Sequence, residues 1–268
     1  MFGAIYGDII GSYYEFHCTK DYDFEFQKES TFTDDTVLTV AVCKAILNNP
    51  QTITRWQIRK RGLEYAGQYR QFYSYHPHAG FGNMFSEWAR KKEYKVNHSY
   101  ANGAAMRVVP IGYAYNTLEQ VQLQAKASCY YTHNNSEAIK AAQAVATAVF
   151  LARKGESKQD IKAYLCKKYR YDLSRKIEDL KKDYVFDSRA SYSVPTAIIA
   201  FLESSDYESA IRNAISLGGD ADTEACIAGG IAEAYYKEIP KNISDFCDRK
   251  IDHMLKNIVL DFKKKFEE

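Results

Sequence analysis

Apolar residues recur every three to four positions along almost the whole chain, and convincing alternation with a period of two is absent. That spacing gathers apolar side chains on one helix face, so the pattern predicts an all-α protein. In the clearest segment, 136–154, an Asn/Ser cap opens an alanine-rich run that Gly155 closes, which predicts a helix packed on several sides. Further helices are predicted at 37–48, 54–70, 82–92, 104–116, 118–131, 157–169, 191–203, 207–217, 223–237 and 243–266.

The first apolar segment carries a glycine at every fourth position, namely Gly3, Gly7 and Gly11. These glycines leave a strip of bare backbone along one face of a helix, although each costs roughly 1 kcal/mol relative to alanine. Something must therefore approach this face closely. Packing of a neighbouring helix is the simpler explanation, and direct contact with a ligand is the alternative.

The domain organisation is expected to be simple. No low-complexity tract, internal repeat or flexible linker divides the 268 residues, so we expect one domain over 1–268, with the charged segment 167–187 as a surface excursion. A hydrophobic content of 46% is enough to bury a large core. The formal charge of +2 gives no electrostatic reason for a nucleic acid or an anionic membrane as partner. A monomer is the default expectation.

The expected compartment is the cytoplasm. The N-terminal residues lack the basic region of a signal peptide, and Asp8 interrupts their apolar stretch. No segment is long enough and free enough of charge to span a bilayer. The six cysteines are scattered without a C-x-x-C pair and are interpreted as buried, reduced thiols.

Two acidic segments each stand directly before an apolar helical run: Thr33-Asp34-Asp35-Thr36 and Gly218-Gly219-Asp220-Ala221-Asp222-Thr223-Glu224. Either one alone is explained by helix capping, because Thr and Asp are favoured N-caps and acids complement the helix dipole. Both together offer more oxygen atoms than capping requires, since a cap needs a single side-chain oxygen.

If the two acidic segments meet in the fold, their carboxylates repel each other unless cations neutralise them or some become protonated. The donors are all oxygen atoms, which favours Mg²⁺ or Mn²⁺ and argues against zinc. Asp220 and Asp222 flank one alanine, and the preceding glycines permit a tight turn there, so a carboxylate that bridges two ions is expected. Asp8 and Glu15 add two acids on the glycine-bearing helix, where exposed surface acids are the alternative interpretation.

Five stretches, in this order, resemble the ADP-ribosylglycohydrolase family, which includes the dinitrogenase reductase-activating glycohydrolase. They are Gly7-Asp8-Ile9-Ile10-Gly11 with Glu15, Phe32-Thr33-Asp34-Asp35-Thr36, Ser99-Tyr100-Ala101-Asn102-Gly103-Ala104-Ala105-Met106-Arg107, Thr132-His133-Asn134, and Gly218-Gly219-Asp220-Ala221-Asp222-Thr223. Each stretch alone is a weak match, but all five in order are specific.

The resemblance implies an orthogonal all-helical bundle with two Mg²⁺ or Mn²⁺ ions at the bottom of an ADP-ribose cleft. By the same resemblance, the metal ligands are Thr33, Asp34, Asp35, Asp220, Asp222 and Thr223. A mobile glutamate near the metals corresponds to Glu15, and either Glu15 or Asp35 is the general acid or base.

The resemblance also implies a binding loop for the diphosphate, formed by Asn97, His98, Ser99, Tyr100, Ala101, Asn102 and Gly103. His133 is expected to contact the ribose side of the ligand, with capping of the helix at Ser136 as the alternative. Two positions depart from the family pattern, because Ala101 replaces a common glycine and His98 replaces a small residue. If position 101 needs a positive φ, alanine would be strained there.

The predicted function is the hydrolytic release of ADP-ribose from a modified protein or another acceptor, by cleavage of the bond at C1″ of the distal ribose. Arginine, serine, a nucleobase or a small molecule all remain open as the acceptor. A catalytically inactive ADP-ribose-binding or structural protein on the same fold is the main alternative. A helical metal-dependent phosphohydrolase is a weaker one, because its histidine pairs should lie on helices and Pro77 separates the only close pair, His76 and His78.

Overall fold

The computed structural model describes residues 1–267, and within them the backbone forms fourteen α-helices and no β-strand. The all-α prediction is therefore confirmed. The helices are α1 (Phe2–Phe16), α2 (Asp34–Asn48), α3 (Ile58–Tyr75), α4 (Asn83–Arg90), α5 (Val109–Ala114), α6 (Leu118–Cys129), α7 (Ser136–Arg153), α8 (Lys158–Tyr169), α9 (Ile177–Leu180), α10 (Ala190–Leu202), α11 (Tyr207–Ile215), α12 (Ala221–Tyr236), α13 (Lys241–Cys247) and α14 (His253–Phe266).

Three of the predicted helices are wrong in extent. The helix predicted at 54–70 runs instead over Ile58–Tyr75, after a 3₁₀ turn at Arg55–Gln57. Instead of one helix over 104–116, the chain makes a 3₁₀ turn at Asn102–Ala104 and then the short α5, which has Pro110 in its first turn. Proline has no N–H and clashes with the preceding helical turn, so it starts a helix here rather than continuing one. The predicted helix 243–266 is divided into α13 and α14, because Asp252 caps α14 by accepting hydrogen bonds from the N–H groups of Met254 and Leu255.

Helices α1 and α12 pack against each other along the glycine strip. A Cβ atom on Gly7 would lie 2.1 Å from the carbonyl oxygen of Ala225, and one on Gly11 would lie 2.5 Å from that of Ala221. Both distances are far below van der Waals contact, so only glycine allows the two backbones to approach this closely. The helix-packing interpretation is confirmed, and the last turn of α1 thereby lies beside the start of α12.

Helix α7 lies at the centre of the bundle and contacts α5, α6, α8, α10 and α12. Twelve of its eighteen residues are buried, and most of them are alanines that permit close approach on several sides. This agrees with the prediction made from its composition. Among the helices of residues 1–267, none combines the length and the apolar character that crossing a membrane requires.

Candidate functional site

The two acidic segments meet in the fold, together with the two acids of α1. Carboxylate oxygens of Asp8, Asp35 and Asp222 lie within 4.8 Å of one another, and we call these three the first acid group. Oxygens of Glu15, Asp220 and Asp222 also lie within 4.8 Å of one another and form the second acid group. Because Asp222 belongs to both groups, its carboxylate lies between two candidate cation positions.

Asp8 holds the start of α2 in place through hydrogen bonds. Its fully buried carboxylate accepts hydrogen bonds from the N–H groups of Thr33 and Thr36, at 3.0 and 3.1 Å, and from both threonine hydroxyls. Thr33 is also the N-cap of α2, since its hydroxyl accepts a 3.3 Å hydrogen bond from the N–H of Asp35. The capping interpretation is therefore confirmed at α2, and the cap orients the turn that carries Asp34 and Asp35 toward α12.

At α12 the capping interpretation fails. Asp220 is the N-cap residue, but its side chain makes no capping hydrogen bond. Its carboxylate instead accepts a 2.8 Å hydrogen bond from the side-chain amide of Asn102. The hydroxyl of Thr223 donates to Asp35 at 3.2 Å and so joins the two acidic segments directly. The preceding Gly218 has a φ of +69°, which permits the turn that a bulkier residue would strain.

The chemistry of the donors fits divalent cations. Burial, followed by the repulsion of neighbouring carboxylates, raises the pKa of Asp35 and of Asp222 well above the usual range. One oxygen of Asp35, Oδ1, is buried without a hydrogen-bond partner. Hard oxygen donors that repel one another suit Mg²⁺ or Mn²⁺, because a cation removes the repulsion and satisfies the free oxygen.

This crowding predicts the pH dependence of the metal-free protein. Burial is the main cause that raises the pKa to about 6 for Asp8, about 7 for Asp220 and about 8 for Glu15. Unfolded carboxyl groups titrate near pH 4, so the folded state holds more protons than the unfolded state between about pH 4 and 8. The stability of the protein in EDTA should therefore fall as the pH rises through this window.

The measurement is the thermal midpoint Tm in EDTA and in excess MgCl₂, at about pH 5 and about pH 8. Mg²⁺ binds the ionised carboxylates, so it should raise the Tm more at the higher pH than at the lower one. NaCl at equal ionic strength is the control for screening. A Tm in EDTA that stays level or rises between the two pH values would contradict this account of the acids.

Five of the acids line a cleft of about 400 Å³ together with residues of the loop 97–103, while Asp8 is fully buried behind them. The predicted site residues that line it are Glu15, Asp34, Asp35, Asn97, Ser99, Ala101, Asn102, Gly103, His133, Asp220, Asp222 and Thr223. Three predicted residues do not: Thr33 faces a neighbouring groove, while the side chains of His98 and Tyr100 are exposed. The structure thus brings most of the predicted site together.

The loop 97–103 is held at both ends by backbone hydrogen bonds. The Asn97 N–H donates to the carbonyl of Tyr131 at 2.9 Å, and the Asn102 N–H donates to that of Ser188 at 2.8 Å. Ala101 has a φ of −71°, in the ordinary extended region. The condition for strain at this position is therefore not met, because Ala101 has no positive φ.

His133 is buried in the cleft wall, and a short hydrogen-bond chain fixes its ring. A guanidinium nitrogen of Arg107 donates to the Thr132 hydroxyl at 2.6 Å, and that hydroxyl lies 2.9 Å from His133 Nδ1. Having accepted from Arg107, Thr132 can donate to Nδ1, which leaves the proton of the ring on Nε2, beside Gly103. Burial and the charge of Arg107 lower the pKa of His133, so the ring is neutral. The cap at Ser136 is Asn135, so the capping alternative for His133 is wrong.

Sequence reasoning missed part of the cleft wall. One side is formed by the start of α4 with the residues before it, and includes Gly82, Asn83 and Met84. Another comes from the end of the segment 167–187, predicted as a surface excursion, where Phe186 reaches the cleft, and from Ser188 directly after it. The apolar pair Val185-Phe186 inside a charged stretch was the available signal for this contact.

Comparison with known proteins identifies the family of the chain and agrees with its fold. The sequence model described as ADP-ribosylglycohydrolase matches residues 1–267. ADP-ribosylhydrolase ARH3 of Homo sapiens is 28% identical, over 92% of this chain and 87% of its own. The ARH3 of Xenopus tropicalis is also 28% identical, over 90% and 88%. A solved structure described as an ADP-ribosylglycohydrolase-related protein complex matches with a TM-score of 0.67 and 20% identity, over 98% of this chain and 96% of that one.

The bundle and its acid-lined cleft define an all-α protein with a candidate site for hard cations. The chain belongs to the ADP-ribosylglycohydrolase family. This confirms the family resemblance, the fold class and the function class that the sequence predicted, an ADP-ribosyl hydrolase.

Proposed function

We propose that this protein releases ADP-ribose from a modified acceptor by hydrolysing the bond at C1″ of the distal ribose, with two Mg²⁺ or Mn²⁺ ions. The observation that carries the proposal is that acids of both groups and residues of the loop 97–103 line one cleft. A cleft of about 400 Å³ suits a ligand of small-molecule size, and its wall supplies polar groups at several points.

The two acid groups are the proposed holders of the ions. Asp35 and Asp222, with Asp8 behind them, would hold one ion; Asp220, Asp222 and Glu15 lie around the other position. Asp34, Thr33 and Thr223 complete the proposed ligand set, and Asp34 also lines the cleft. When bound, such ions act as Lewis acids and fix the hydroxyls of the sugar for reaction at the anomeric carbon.

Glu15 is better placed than Asp35 to transfer the proton. Its carboxylate is half-buried at the edge of the cleft and also faces a second groove, so it can reach the bond between ribose and acceptor. Asp35 is 1% exposed and accepts a hydrogen bond from Thr223, which suits it to hold a fixed position. Glu15 is therefore proposed as the general acid or base, and Asp35 as a ligand that orients the sugar.

The loop 97–103 is the proposed site of the diphosphate. Backbone N–H groups at such a loop offer donors to phosphate oxygens, and Ser99 and Asn102 add polar side chains at the cleft surface. His98 and Tyr100 would contribute backbone only, since their side chains are exposed. His133 would donate from Nε2 to the ligand, because Thr132 and Arg107 occupy its other nitrogen.

The same proposal covers the assembly state, the acceptor and the compartment of the protein. The protein acts as a monomeric domain on an ADP-ribosylated protein or other ADP-ribosylated acceptor, through an N- or O-glycosidic bond, without nucleic acid or membrane. The six cysteines are all free thiols, which supports the cytoplasm as its compartment.

A panel of ADP-ribosylated substrates tests the function. Arginine-linked, serine-linked, nucleobase-linked and small-molecule conjugates are incubated with magnesium or manganese, and free ADP-ribose is measured. In parallel, isothermal titration measures binding of ADP-ribose. Release from at least one conjugate supports hydrolysis, whereas binding without release from any of them identifies an inactive ADP-ribose-binding protein.

A further inference from the structure

A second groove, of about 530 Å³, lies beside the cleft and shares Glu15 and Gly80 with it. We call it the α1 groove. It is lined mainly by Tyr13, Phe16, His17, Glu29, Phe32 and His78. The α1 groove meets the cleft at Glu15, the proposed general acid or base.

Aromatic side chains form an exposed platform in the α1 groove. Phe16 ends α1 directly after Glu15 and is 80% exposed. Beside it, the rings of Tyr13 and His17 stack with centroids 4.0 Å apart and planes 7° from parallel. Single exposed aromatic residues are ordinary, but an exposed phenyl group next to a fixed aromatic stack offers contact area at low entropic cost.

The α1 groove carries an exposed negative charge at neutral pH, that of Glu29. Its second acid, Glu15, is half-buried and burial raises its pKa to about 8, so the charge of the groove does not depend on it. No lysine or arginine is among the described residues that line it, and its other titratable side chains are those of Tyr13, His17 and His78. An acidic surface with exposed aromatic rings favours a positively charged partner, through Coulomb attraction and cation–π contact.

We propose that the α1 groove binds the acceptor polypeptide, and that it selects a basic segment next to the modified side chain. This inference rests on the proposed function. With ADP-ribose in the cleft, the bond to be cleaved faces Glu15, and the acceptor must lie on the other side of that bond. The α1 groove is the surface that shares Glu15 with the cleft, so the chain that follows the modified residue can lie across Phe16.

The test compares three conjugates of the same ADP-ribose: a peptide with lysine and arginine beside the modified residue, a peptide of the same linkage with aspartate and glutamate there, and a conjugate whose acceptor is only an acetyl group. Each is assayed with the wild type, Phe16→Ser and Glu29→Lys. Trp56→Ser is the matched control, because Trp56 is 83% exposed and lines neither the cleft nor the α1 groove.

The wild type should have a lower KM for the basic peptide than for the acidic one. Phe16→Ser should raise the KM for the basic peptide about tenfold with little change in kcat, as for loss of a contact hot spot. Glu29→Lys should reduce the preference for the basic peptide, and all three variants should treat the acetyl conjugate as the wild type does. The acceptor role would be overturned by equal KM values of the wild type for the two peptides, or by a KM for the basic peptide that neither Phe16→Ser nor Glu29→Lys changes. Either result would leave the proposed hydrolysis intact. Absence of release from every conjugate would overturn the proposed function and the acceptor role with it.

Discussion

Asp222→Asn is expected to abolish turnover and, at the same time, to raise the Tm of the metal-free protein. The asparagine keeps the shape of the side chain but removes the charge shared by both acid groups. Asp222 would be a ligand at both candidate cation positions, so its loss should lower kcat by about a thousandfold or more, the scale on which removal of transition-state stabilisation is felt. The Tm in EDTA should rise because a buried carboxylate repelled by its neighbours is gone.

The matched control is Asp261→Asn, since Asp261 is an exposed acid on α14. It should leave both kcat and Tm unchanged. The comparison needs ADP-ribose release at saturating substrate and thermal unfolding in EDTA. Turnover by Asp222→Asn within tenfold of the wild type would show that the shared carboxylate is not the centre of the site.

Gly7→Ala is expected to have the largest effect on folding. Its new methyl group would lie 2.1 Å from the carbonyl oxygen of Ala225, and that oxygen belongs to the backbone of α12, which cannot rotate aside. The helices must separate, which should destabilise the protein by about 3 kcal/mol or more. For a chain of this size, that corresponds to a fall in Tm of roughly 10 °C.

Gly67→Ala is the control for this substitution. Gly67 lies within α3, and the nearest atom to a Cβ there is 3.9 Å away, so alanine should leave stability unchanged or raise it slightly. Activity adds a second readout, because separation of α1 from α12 would move Asp8 and Glu15 away from Asp222. A Gly7→Ala variant as stable as the wild type would contradict the close packing of α1 on α12.

Some of this architecture could be predicted from the sequence because the signal was local. The glycine spacing on α1 predicted a close helix contact, and the acidic segments before α2 and α12 predicted carboxylates at two helix starts. That these helix starts meet depends on tertiary structure. The sequence indicated it through the excess of oxygen donors over what capping requires and through the family resemblance.

Other features could not be predicted because they depend on partners far away in the chain. Asp8 was recognised only as a nearby acid, whereas its four hydrogen bonds to Thr33 and Thr36 make it the support of α2. The series of hydrogen bonds from Arg107 through Thr132 to His133 likewise cannot be recognised from the sequence. The break before α14 was a missed local signal, since Asp252 is an ordinary N-cap residue.

The central claim, that paired cations held by the two acid groups are needed to release ADP-ribose, has a direct test. The protein is stripped with EDTA and desalted, and release of ADP-ribose from an ADP-ribosylated protein is followed without metal and after addition of MgCl₂ or MnCl₂. We expect no release from the stripped protein and recovery of activity when either metal is restored. Full activity in excess EDTA would contradict the claim.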